Sequence, residues 1–255
     1  MIELTDLLLF RELSLFWGVV IAATILRAFT GFGFGLVAVP AFALFLTPAQ
    51  SVILSTSLSL TVGIQSWPQY RGKIPLQPLL PMFLFAIAGT ILGALLLMEL
   101  SKEIFQMAIG VGVILACIVL TGYHPRQRQV HPVLIWGTGL TSGLMGGAFG
   151  MSGPPIIIYT MATEPDSERA RAFTIMFLTF TSMIGLIIYS AADLVDMQSV
   201  YLFLLAYPAM YLGNKFGNRL FAQHGGKFYR QVALIALFFI GVSATSSGIF
   251  NLLAS

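Results

Sequence analysis

Apolar runs separated by short polar punctuation occupy almost the whole of this chain. The runs cover roughly 13–30, 36–46, 51–67, 78–98, 104–122, 132–149, 154–163, 170–190, 197–216 and 228–250. The polar segments between them are brief: YRGKIP, ELSKE, YHPRQRQVH, TEPDSERAR, DLVDMQ and NRLFAQHGGK. A helix crosses hydrocarbon with about 20 mainly apolar residues, and all but two of the runs reach or approach that length. The two short runs, 36–46 and 154–163, each follow a glycine-rich break, GFGFGLVAVP (31–40) and GGAFGMSGPP (146–155). The pattern predicts an all-α polytopic membrane protein. No connection is long enough to hold a soluble domain, so 1–255 reads as one transmembrane domain.

The two breaks align with each other without a gap. Gly31 matches Gly146, Phe34 matches Phe149, Gly35 matches Gly150 and Pro40 matches Pro155. A second pair of segments, GTILGALLLMELSKEIFQ from Gly89 and GNKFGNRLFAQHGGKFYR from Gly213, repeats a Gly-xxx-Gly spacing. Small residues at that spacing pack membrane helices closely, and chance alignment of glycine-rich apolar segments is the competing explanation. Read as a repeat, about 13–122 and about 132–250 each hold one broken, re-entrant helical hairpin followed by three transmembrane helices. A hairpin returns to its own side and three crossings are odd. The second repeat is therefore inverted relative to the first, as in many secondary transporters.

Composition agrees with the pattern. Of the 255 residues 57% are hydrophobic and 9% are charged, against about 25% charged in an ordinary soluble domain. The opening residues lack a basic n-region and a small-residue cleavage site, so no cleaved signal peptide is expected. The net charge of +3 comes from a few basic loops, which report orientation rather than nucleic-acid binding. Arg71 and Lys73, Arg126 and Arg128, and Lys215, Arg219, Lys227 and Arg230 mark three such loops. All three lie in the cytoplasm only if each break returns as a hairpin, which puts both termini outside. The rival topology, with 13–30 as a full span, leaves one basic loop outside.

Irregular backbone survives at membrane depth only where protein buries it or where it lines a wet cavity. Glycine in a helix interior costs about 1 kcal/mol relative to alanine. Proline lacks an N–H and biases the preceding residue away from helix, so Pro40, Pro154 and Pro155 are read as structural helix breaks. Such a break lets backbone amides approach an anion at the positive end of the half-helix that follows. The glycines assigned to such a site are Gly31, Gly33, Gly35, Gly147, Gly150 and Gly153. Ser152 lies in the second break, and Ser55, Thr56 and Ser57 lie early in the span after the first. Thr174 is the closest counterpart of Thr56, and Gln65 lies deeper in the first of these spans. Each hydroxyl has an alternative in bonding back to its own helix.

Arg27 is the sharpest single residue, one turn before the first break with no acidic neighbour in sequence. An arginine at membrane depth is costly and marks function by default, and its planar fork suits sulfur or phosphorus oxyanions. If 13–30 spans fully, Arg27 instead snorkels to the headgroups. Arg171 opens the span after the second break, as a guard of the cytoplasmic mouth or as an interfacial anchor. Several chemistries are absent. His124, His131 and His224 sit in loops and Cys117 stands alone, so no metal or haem is expected. No Gly-x-Ser-x-Gly or His-Glu-x-x-His string marks a hydrolase, and no Gly-Lys-Ser/Thr loop marks an ATPase. The carboxylates Glu99, Glu164, Asp166, Asp193 and Asp196 are all at segment ends, so none is named as a proton relay.

The strings TGFGFGLVAVP, STSLSL, YRGKI and GGAFGMSGPPIIIY followed by RAFT resemble the TauE/SafE family of anion exporters over nearly the whole chain. The resemblance implies a prokaryotic plasma-membrane carrier for sulfite, organosulfonates such as sulfoacetate, or related sulfur anions. It carries the family's pattern to Gly31, Gly33, Gly35, Pro40, Gly146, Gly147, Gly150, Gly153 and Pro155, while Phe34 and Ala148 depart from it. The function expected is therefore a secondary transporter working by alternating access, not an enzyme, with no cofactor and with coupling to H+ or Na+. Export is favoured by the resemblance alone. The alternative is a non-transport membrane packing or assembly subunit whose glycines serve only close contact. Neither reading fixes an oligomeric state.

Overall fold

A computed structural model of the chain describes residues 10–30, 33–70, 80–122 and 131–224. Gly31, the basic loops at 71–79 and 123–130, and the apolar run 228–250 lie outside these residues. The described residues form nine helices, with one isolated helical turn at Trp67–Tyr70, and contain no strand. In chain order the helices are α1 (Phe10–Thr30), α2 (Phe34–Phe42), α3 (Pro48–Gln65), α4 (Leu80–Glu99), α5 (Lys102–Gly122), α6 (Pro132–Phe149), α7 (Gly153–Thr163), α8 (Ser167–Ala191) and α9 (Met197–His224).

The two short runs are α2 and α7, and each turns back along the helix before it. At the first break the ring of Phe16, early in α1, lies 5.7 Å from Phe42 at the end of α2 and 6.4 Å from Phe45. That pairing requires α2 to run antiparallel to α1. At the second break, Leu134 and Ile135 near the start of α6 join a cluster with Tyr159 near the end of α7. The arms are unequal. With 21 residues α1 is about 31 Å long, as long as hydrocarbon is thick, whereas the 9 residues of α2 reach about 14 Å.

Glycine makes both reversals. Gly33 has φ 96° and Gly150 has φ 63°, the left-handed region that other residues adopt only with strain. Gly150 ends α6 as a left-handed cap: its N–H donates to Gly146 at 2.8 Å, and that of Met151 to Met145 at 3.2 Å. The prolines sit elsewhere than at the breaks. Pro154 and Pro155 occupy the first turn of α7, where a missing N–H costs nothing, and Pro40 is buried inside α2.

Contacts between helices far apart in sequence bring the hairpins together. The α4–α6 pair is built on small residues: a Cβ on Gly89 would strike the carbonyl of Leu140, and one on Gly143 the carbonyl of Ala86. The same relation recurs between α9 and α1, where Gly213 lies against Ile21 and Thr24, and Gly217 against Ala28. Helices α3 and α8 also pack together, with Gly63 against Thr179. From α5, Gln106 holds the end of the first hairpin by donating to the Ala43 carbonyl at 2.5 Å. The surface is apolar where a soluble protein would be polar: Leu84, Leu92 and Leu95 of α4 and Leu204 and Phe216 of α9 are each more than half exposed.

Among the described residues, Leu80–Glu99 and Glu168–Ala191 combine the length and the apolar composition needed to cross a bilayer, and Leu13–Ala28 is apolar but shorter. Helix α6, which covers the expected span 132–149, carries eight glycine, serine and threonine residues among its 18. Among them Gly139, Gly143 and Gly147 lie against Met82, Ala86 and Thr90 of α4, where the lack of a side chain allows close contact.

Candidate anion site

The two break tips touch. A Cβ on Gly35 would strike the carbonyl of Gly150 and would lie 3.4 Å from the Ser55 hydroxyl. A cavity of about 40 Å³ opens beside this contact, lined by Gly33 to Leu36 from the first break, Gly150 to Gly153 from the second, and Arg27, Ser59, Leu178 and Ser182. A water needs about 10–15 Å³ of such space, so the cavity holds about three water-sized atoms.

Arg27 is 5% exposed, and its Nη1 donates to the Ser59 carbonyl at 2.8 Å. Ser59 lies past the middle of α3, so this contact puts the guanidinium deep in the bundle rather than at a headgroup. The acceptor in this bond is a neutral backbone carbonyl. The last turn of α1 brings Arg27 there because α1 passes the tip contact before the chain reverses.

The helix starts around the cavity differ from those elsewhere. At the ends of the molecule, α3 is capped by Thr47 through a capping box with Gln50, α6 by His131 and α8 by Asp166. Neither Gly33 before α2 nor Ser152 before α7 makes a side-chain cap bond. Capping residues satisfy first-turn amides. Here two helix starts face one cavity without such a cap, with a guanidinium beside them, and their partial positive charge is directed at the same volume. This arrangement suits a small oxyanion.

The expected site residues divide into two groups. Arg27, Gly33, Gly35, Gly150, Ser152 and Gly153 line the cavity, and Thr56 lines a smaller adjoining one together with Gly150 and Ser152. Ser55 is fully buried against the tip contact, and its hydroxyl has no hydrogen-bond partner. The rest lie elsewhere. Ser57 donates back to Ile53 at 2.8 Å, and Thr174 to Ala170 at 2.9 Å, each within its own helix. Gln65 is exposed at the end of α3 and accepts from Asn214 at 3.0 Å. Gly147 is packed against Thr90 and Gly93 of α4. Arg171 is half-buried and donates to the Ala28 carbonyl at 3.0 Å, binding α8 to the last turn of α1 instead of lining the cavity.

Sequence reasoning missed four cavity residues with side-chain hydroxyls: Ser59, Thr181, Ser182 and Tyr189. Ser59 had a signal, since it falls one helical turn after Ser55 and so shares its face. Tyr189 had none. Its buried hydroxyl donates to the carbonyls of Gly146 and Gly147, at 3.0 and 2.9 Å, a contact that only the packing of α8 on the second break creates.

Comparison with known proteins adds the last element. No curated protein and no solved structure matches the chain significantly. A family model described as "Sulfite exporter TauE/SafE" matches residues 15–244, which includes both hairpins and every residue lining the cavity. The protein belongs to the sulfite exporter TauE/SafE family of membrane transporters.

Proposed function

We propose that this protein is a secondary transporter that exports small sulfur-containing anions, such as sulfite or organosulfonates, across a prokaryotic plasma membrane by alternating access. The observation that carries the reading is the cavity beneath Arg27, faced by the uncapped starts of α2 and α7. A buried guanidinium and two helix starts replace the water shell of an anion with fixed donors. The same charge in a closed apolar core would only be destabilising.

Alternating access follows from an inverted repeat in which α1 to α5 correspond to α6, α7, α8, α9 and the run 228–250. Support comes from the exchange of partners: α4 packs its paired glycines on α6, and α9 packs its own on α1. Each hairpin is thereby held by the other repeat, so rocking one repeat against the other moves the two tips in opposite senses around a shared site. The assembly-subunit alternative has less support, because these glycines find their close contacts inside the chain.

The test is labelled sulfite flux in proteoliposomes under imposed proton or sodium gradients. Gradient-driven flux by wild type, reduced at least about tenfold in Arg27→Ala and partly kept in Arg27→Lys, is the expected result. Equal flux by wild type and Arg27→Ala would remove Arg27 from the site, and none under any gradient would overturn the transporter reading.

A further inference from the structure

The cavity beneath Arg27 does not end the polar interior. A second cavity of about 20 Å³ shares Ser59, Gly150, Ser152 and Ser182 with it and is otherwise lined by residues that include Thr56, Thr181 and Tyr189. At about 10–15 Å³ per water it admits one or two non-hydrogen atoms. No charged side chain lines it. The second basic residue nearby, Arg171, is turned to the Ala28 carbonyl and lines neither cavity.

The hydrogen-bonding character of this second cavity is set by bonds already made. Tyr189 donates its proton to the carbonyls of Gly146 and Gly147. Thr181 donates to the Leu178 carbonyl at 3.1 Å. A hydroxyl that has given its proton away offers lone pairs only, so Tyr189 and Thr181 meet the cavity as acceptors, beside the hydroxyls of Thr56, Ser59, Ser152 and Ser182. A neutral hydroxyl suits this mixed lining, donating to the acceptors and accepting from the serines. An ionised carboxylate or second sulfonate is acceptor-only, and would give up its water for a pocket without a cation. An ammonium would donate, but would stand without a carboxylate in the cavity next to Arg27.

We infer that, among the anions this site accepts, the preferred one is a monoanion with a neutral hydroxyl one or two atoms from its charged head, and that the second cavity receives this group. The inference rests on the reading of the Arg27 cavity as an anion site, whose three-atom capacity suits the oxygens of a sulfonate head.

Calorimetric titration of the full chain in lipid nanodiscs separates the possibilities with three probes: ethanesulfonate, 2-hydroxyethanesulfonate and sulfoacetate. The first two differ only in the terminal hydroxyl, and the third carries a second charge there. The hydroxylated probe should bind about tenfold more tightly than ethanesulfonate, and more tightly than sulfoacetate at pH 7. In Thr181→Val and, separately, Ser182→Ala, the ratio between the first two should fall toward one. Tightest binding of sulfoacetate, or equal binding of the first two by wild type, overturns the inference while leaving the anion site intact. No binding of any sulfonate overturns both.

Discussion

Two glycines at the tip contact carry different constraints and should respond differently to the same methyl group. Gly35 sits inside α2 with ordinary helical backbone, so alanine there suffers only from the Gly150 carbonyl that its Cβ would strike. Backbone cannot swing aside, and the hairpins must separate, at a cost of about 1–3 kcal/mol. Gly150 has φ 63°, and a Cβ there meets Val39 Cγ2 at 3.2 Å, so alanine suffers chiefly the left-handed conformation, about 1–2 kcal/mol. Both variants should melt below wild type. Only Gly35→Ala should also lose sulfite binding out of proportion to its melting shift, because separating the tips opens the cavity beneath Arg27. Full sulfite affinity in Gly35→Ala would show that the tip contact does not shape the site.

At the level of whole helices, the paired glycines define which surfaces are committed. A Cβ on Gly93 would strike the Leu144 carbonyl, whereas Gly137, one turn beyond the close contact on α6, has nothing within 4 Å. Gly93→Leu should therefore prevent folding to a monodisperse particle. Gly137→Ala should be neutral or stabilising by up to about 1 kcal/mol from helix propensity; size-exclusion profiles and melting curves distinguish the two outcomes. A second prediction concerns the start of α9. There Asp196 accepts from the Ser199 backbone N–H at 2.7 Å and from its hydroxyl at 2.6 Å. Burial pushes the carboxyl up, but the Ser199 donors and Gln50 outweigh it and hold it below the usual aspartate value. A depressed folded value stabilises above the unfolded one, about 3.9, and that contribution is lost as pH falls through the folded value. Melting temperature should drop below about pH 4, and Asp196→Asn should flatten that drop. These elements differ in how far they could be read ahead. The breaks stood out because three alternating glycines are incompatible with an undisturbed span, and Arg27 because it is charged. Gln65 and Ser57 were placed at the site from depth alone. Depth does not say which face of a helix turns inward, and packing against α9 takes Gln65 away while Ser57 bonds its own backbone.

For the whole molecule the open question is direction in the membrane, for which the charge pattern supplies a testable expectation. In the proposed inverted repeat, the hairpin formed by α1 and α2 returns to the side on which it started, the first repeat contributes three crossings and the second begins on the opposite face. That topology would put Arg71 and Lys73, Arg126 and Arg128, and Lys215 and Arg219 all on one side. The loop holding Asp193 and Asp196 would fall on the other. Lysine and arginine in short loops are retained in the cytoplasm, so the expectation is that Asp193 lies outside. Asp193 suits a probe because it is exposed and already adopts φ 54° in a turn between α8 and α9, where a side chain points away from packing. The one native thiol, Cys117, is buried and is removed as Cys117→Ser to leave a clean background. In that background Asp193→Cys should react with a membrane-impermeant maleimide on intact cells, and Arg126→Cys should react only after the membrane is opened. If 13–30 crossed fully and the chain continued without reversing, one of the basic loops would face outward instead. Labelling of Arg126→Cys on intact cells, with Asp193→Cys protected, would invert the orientation. The cavity beneath Arg27 would then load in the opposite sense to the export proposed here.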